Sequence, residues 1–111
     1  MSRLTVNELS SMAGMRAVAL PDGEREINGV YIGDLLSWVM GRAKADNAWI
    51  TIMSNINIVA VASLADVACI ILAEGVELDQ PVKDTANAKG VNILTADMPA
   101  YETAMMIGSE L

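Results

Sequence analysis

The chain contains no histidine. That absence removes at once the commonest general base, the usual serine and cysteine triads and the principal transition-metal ligand. Phenylalanine is missing too, and there is a single cysteine, Cys69. One thiol makes no intramolecular disulfide, and a zinc site needs several thiolates or imidazoles. Cys69 lies inside the apolar run VACIIL, where a free thiol behaves as a small hydrophobe. Neither GxxxxGK(S/T) nor GxGxxG occurs, so the common phosphate cradles are also lacking.

Positive charge is scarce. Seven Lys and Arg stand against 14 Asp and Glu, a net charge of -7. Such a field repels nucleic-acid backbones and anionic lipid headgroups, so neither nucleic acid nor a membrane surface is an expected partner. No apolar stretch reaches the length that spans a bilayer, because Thr51, Ser54, Asn55, Asn57, Ser63 and Asp66 interrupt the greasiest region. The first residues, MSRLTVNELSS, lack the apolar core of a secretion signal. A reducing cytoplasm is the expected compartment. Asp22, Glu24 and Glu26 would be the carboxylates for Mg²⁺ or Ca²⁺, but without EF-hand spacing they read as a solvated acidic turn. No metal and no cofactor are expected.

What remains is aliphatic. Of 111 residues 53% are hydrophobic, spread over Ala, Val, Ile, Leu and Met, with Trp38, Trp49, Tyr31 and Tyr101 as the aromatics. That is the core composition of a parallel sheet covered by helices. The length suits one domain over residues 1–111.

Thr5 with Glu8 forms a capping box, and Leu4 with Leu9 a hydrophobic staple, for a first helix ending at Ala13-Gly14. MRAVAL reads as a strand, PDGERE as a turn and INGVYI as a second strand. Asp34 is placed to cap a helix whose Leu35, Leu36, Val39, Met40 and Ala43 make one stripe. AWITIM and VACIIL are too continuously apolar for a half-exposed sheet and read as strands covered on both faces. If these two are parallel neighbours, NINIVAVASLA between them must be a crossover helix. A turn at Glu74-Gly75, a helix from Asp79 to Lys89-Gly90, the strand VNILT and a helix opened by Pro99 complete the order α-β-β-α-β-α-β-α-β-α. The last helix places Tyr101, Ala104, Met105 and Gly108 on one face. The fold class expected is therefore α/β, a mostly parallel sheet of about five strands flanked by helices.

Sheets of this kind bind ligands at the carboxyl ends of their strands. Those ends carry Gly33-Asp34, then Thr51 and Ser54-Asn55-Ile56-Asn57, then Glu74-Gly75, then Thr95 and Asp97. The candidate ligand contacts are Gly33, Asp34, Thr51, Ser54, Asn55, Asn57, Glu74, Gly75 and Thr95, although capping statistics favour a helix-cap role for Asp34, Asn55 and Asp97. Met98, Met105, Met106, Trp38 and Met40 add more apolar surface than so small a core covers, which points to self-association.

The string INGVYIGDLLSWVMGRAKADNAWITIMSNINIVAVASLADVACIILAEG, followed by VNILT and PAYETA, resembles the DRTGG-domain family. That family shares its fold with the N-terminal domain of HPr kinase/phosphorylase, and the pattern is similar to that of its small stand-alone members. The name-giving motif belongs after the AWIT strand, where this chain has Ile52, Met53, Ser54 and Asn55 instead. The resemblance implies a regulatory or binding module, often paired with itself, and carries no kinase phosphate loop. The expectation is a non-catalytic homodimer that senses a small molecule or nucleotide, or docks on a protein partner, through the loops around Asp34 and Asn55. The alternatives are a structural subunit of a larger complex using the Met-rich helix, or an enzyme with Asp34 or Asp97 as base.

Overall fold

The two continuous apolar runs are the middle of the sheet. In the computed structural model, which describes residues 4–111, they form β3 (Asn47–Thr51) and β4 (Cys69–Leu72), paired in parallel with Ala48 opposite Cys69 and Thr51 opposite Leu72. Met1, Ser2 and Arg3, part of the expected domain range, lie outside the described residues. Every residue of β4 and all of Ala48–Thr51 are buried, as strands covered on both faces require. Around them the sheet is completed by β1 (Met15–Ala19), β2 (Gly29–Ile32) and β5 (Ile93–Ala96), in the order β1-β5-β4-β3-β2. Four strands are parallel, and β1 runs antiparallel along β5.

Alternation along the strands divides the core in two. Trp49, Ile70, Leu72 and Ile93 face a layer formed by α2 (Leu36–Arg42), α3 (Asn57–Ala65) and α4 (Gln80–Lys89). Ala48, Ile50, Cys69, Ile71, Leu94 and Ala96 face α1 (Val6–Ser10) and α5 (Ala100–Gly108), which bring Val6, Leu9 and Ile107. NINIVAVASLA is the crossover helix α3 despite its β-branched residues, because two parallel neighbours leave it no other conformation. Burial drives the Cys69 thiol up to about 12, which makes it an inert part of the core.

The amino end of the sheet is fastened by polar side chains. Arg25 Nε donates to Asp46 Oδ1 at 3.0 Å and its Nη2 to Asp66 Oδ1 at 2.7 Å. Asp46 and Asp66 are both left-handed, at φ 67° and 59°, and precede β3 and β4. Before β5, the buried Asn92 accepts from Asp22 N at 2.9 Å and donates to Asp22 O and Ala68 O at 2.8 and 2.9 Å.

The caps and helix faces differ from expectation in several places. The Thr5–Glu8 box is formed, but α1 ends at Ser10 rather than at Ala13-Gly14, and Gly14 instead takes φ +82° ahead of β1. Asp34 does not cap α2; Leu35 holds the N-cap position, with no side-chain bond, because the Asp34 carboxylate is engaged across the strands. Of the α2 stripe, Val39 is buried and Leu36 and Ala43 pack beneath it, whereas Leu35 and Met40 face solvent. On α5 the face turned to the core is Thr103 and Ile107, leaving Tyr101 and Met105 outward.

Candidate functional site

The carboxyl edge of the parallel strands holds all the candidate residues, in two groups. Strand register places Thr51, Leu72, Thr95 and Arg16 in one row across β3, β4, β5 and β1. Trp49, Leu72 and Ile93 turn toward α2, α3 and α4, so alternation puts this row on that same face. Leu72 separates the two buried threonines, which sit two strand spacings, about 10 Å, apart.

The first group surrounds the exits of β2 and β3. The Thr51 hydroxyl, in a residue 2% exposed, donates to Asp34 Oδ1 at 2.7 Å. The Ile52 backbone N donates to the same oxygen at 3.0 Å, and Met53 N donates to Thr51 Oγ1 at 3.2 Å. Trp49 Nε1 donates to Gly33 O at 2.9 Å, fixing the backbone beside Asp34. Asp34 and Thr51 thus join two loops into one unit. Ser54, Asn55 and Asn57 lie exposed beyond it, and Asn55 Oδ1 accepts from Asn57 N at 2.9 Å, opening α3. Asn57 also borders an apolar groove of about 420 Å³ between α3 and α4, lined by Ile56, Val59, Ala60 and Leu64. Around the clamp, Ile32, Leu35 and Ile52 are 51%, 59% and 49% exposed, with Trp38 outward on α2 and the Arg42 guanidinium 3.7 Å over its ring.

The second group lies at β4 and β5. Glu74 and Gly75 both take left-handed backbone, at φ 60° and 70°, and their N–H groups donate to Met98 O at 2.9 Å and Ala96 O at 2.8 Å. This turn carries the chain over the end of β5 to Glu77 and Leu78. Arg16, Val18, Glu77, Leu78, Lys83 and Thr95 line a partly open cavity of about 270 Å³. Asp97 makes no cap: it is exposed, its N donates to Gly14 O at 2.9 Å, and Pro99 holds the N-cap position of α5.

Sequence reasoning named Thr95 but not Arg16, Lys83 or Glu77. The signal was present in Arg16, a charge inside the apolar strand MRAVAL, but its partner is set by the antiparallel register with β5. Among the described residues no three His, Cys, Asp or Glu side chains converge to hold a metal ion. Nor, among them, is any helix long and apolar enough to cross a membrane.

The family model of the DRTGG domain matches residues 16–109. The chain belongs to the DRTGG-domain family. The match runs from β1 to the end of α5 and so takes in both groups at the carboxyl edge. Among solved structures, this DRTGG domain is similar to the CBS and DRTGG domains of the regulatory region of the Clostridium perfringens pyrophosphatase, complexed with its activator, diadenosine tetraphosphate. The TM-score is 0.75 at 12% identity, over 93% of this chain and 45% of that one. The likeness fixes the fold, a mixed and mostly parallel five-stranded sheet flanked by helices, and the chain spans less than half the length of that neighbour. No curated protein matches the sequence.

Proposed function

We propose that this DRTGG domain is a regulatory module that catalyses no reaction, takes up a small ligand and passes its state on by docking, acting as a homodimer in the cytoplasm. Family membership supports a regulatory role, and the pyrophosphatase regulatory region that shares the fold is crystallised with a nucleotide activator.

The observation that carries the docking part is the clamp at the exits of β2 and β3. Asp34, Thr51 and the Ile52 N–H hold both loops while Ile32, Leu35 and Ile52 around them stay largely in solvent. A rigid apolar spot of this kind suits an interface anchor, since little side-chain or loop ordering is lost on contact. The occupant is a second copy of the chain. Among the described residues β2 has no strand on its outer side, so two β2 edges can meet about a two-fold axis with the apolar spots beside them.

Light scattering coupled to size exclusion at micromolar concentration tests this reading. A dimer is expected for the wild type and a folded monomer for Leu35→Asp, a change at a position 59% exposed. A monomeric wild type, or a Leu35→Asp protein that stays dimeric, overturns it.

A further inference from the structure

We propose that the cavity lined by Arg16, Lys83 and Thr95 is an oxyanion site, built to take the phosphate or carboxylate group of a small metabolite. The inference rests on the ligand-sensing reading above and names the site and ligand class.

Four features converge there. The chain has only seven cationic side chains, yet two of them, Arg16 and Lys83, line this one cavity. Among the described residues the salt bridges are made by Arg25 alone, so neither Arg16 nor Lys83 has a carboxylate partner within ion-pair distance. With Glu77 as the one carboxylate in the lining, the two cations leave the cavity with a net positive charge, which a bound anion compensates.

Thr95 supplies the third feature. It is 2% exposed, lines the cavity and makes no side-chain hydrogen bond among the described residues. Yet among them no fully enclosed side-chain oxygen or nitrogen lacks a partner, so the Thr95 hydroxyl keeps a small exposure, in a residue that lines the cavity. A buried hydroxyl reserved in this way donates to an oxyanion lying between the two cations. On the neighbouring strand Arg16 is the register partner of Thr95, which puts the two residues side by side on one face of the sheet.

Size and the remaining walls set the ligand. A volume of about 270 Å³ lies just below the range of roughly 300–1,000 Å³ typical for drug-sized ligands, so it takes an anionic head with a short carbon skeleton. Val18 and Leu78 offer apolar contact for that skeleton, and Glu77 accepts from a hydroxyl or amine on it.

The test is a ¹H–¹⁵N NMR titration of the whole chain with inorganic phosphate at fixed ionic strength, malonate as the carboxylate arm and chloride as reference. Saturable shifts at Arg16, Val18, Glu77, Lys83 and Thr95 are expected. Affinity is expected to fall at least tenfold in Arg16→Gln and several-fold in Thr95→Val, both folded, and to rise in Glu77→Gln. Saturation by phosphate alone assigns the phosphate class, and by malonate alone the carboxylate class. Shifts equal to those of chloride, shifts centred on Lys44 or Lys89, or an affinity indifferent to Arg16→Gln overturn the proposal. The oligomeric state decides the dimer separately: a monomer that binds phosphate here keeps the site and loses the dimer, and a dimer that does not bind it does the reverse.

Discussion

Replacing Asp34 by Ala removes one carboxylate oxygen that two donors share. The Thr51 hydroxyl at 2.7 Å is then left in a residue 2% exposed, while the Ile52 N–H at 3.0 Å belongs to a half-exposed residue and regains water. Hydrogen bonds to a charged group contribute about 1.5–3 kcal/mol, so with partial rehydration the loss is about 2 kcal/mol. In a domain of this size that lowers Tm by about 8 °C. Thr51→Val keeps the shape, leaves the exposed carboxylate to water and costs about 1 kcal/mol. Because each change removes the same bond, the double variant is expected to be about 1 kcal/mol more stable than the sum of the singles. Urea unfolding followed by tryptophan fluorescence measures all three. Additive effects, or an Asp34→Ala protein more stable than wild type, would refute the clamp, the latter being the behaviour of a residue held for ligand rather than for structure.

Asn92→Leu leaves Ala68 O without its donor and frees the turn at Asp22, and is expected to cost about 2–3 kcal/mol by the same unfolding assay; a loss under 0.5 kcal/mol would contradict the stapling role. The Cys69 thiol is raised from 9.0 to about 12 in the folded chain. Between about pH 9 and 12 the unfolded thiol ionises while the folded one stays protonated, so its contribution is complete below pH 9 and falls by about 1.4 kcal/mol per pH unit above it. Cys69→Ala, less stable at neutral pH through its cavity, is expected to show a shallower alkaline decline, and parallel declines would contradict the assignment. Iodoacetamide at neutral pH is expected to label Cys69 no faster than the chain unfolds.

The architecture was legible wherever burial on two faces wrote continuous apolar runs. AWITIM and VACIIL gave the centre of the sheet, and their parallel pairing forced the helix between them. The capping box at Thr5 and Glu8 was equally plain, since it is local in sequence. What escaped was long-range. Asp34 reads as a cap because caps are the commonest use of Asp before a helix, and only the parallel register of β2 with β3 brings it to Thr51. The outward turn of Tyr101 and Met105 was hidden because α5 has apolar residues on both sides, and its angle over the sheet selects Thr103 and Ile107. Arg16 and Lys83 meet Thr95 across three separate segments, a conjunction that no spacing records.

The central claim is that this DRTGG domain takes up a small ligand in order to regulate. A thermal-shift screen of the wild type with nucleotides, phosphorylated metabolites and their unphosphorylated parents tests it most directly. A ligand at 100 times its Kd stabilises by about 2.7 kcal/mol, so a rise in Tm of about 10 °C is predicted for phosphorylated compounds, reduced in Arg16→Gln and absent for the parents. A Tm unmoved by every compound would contradict the account.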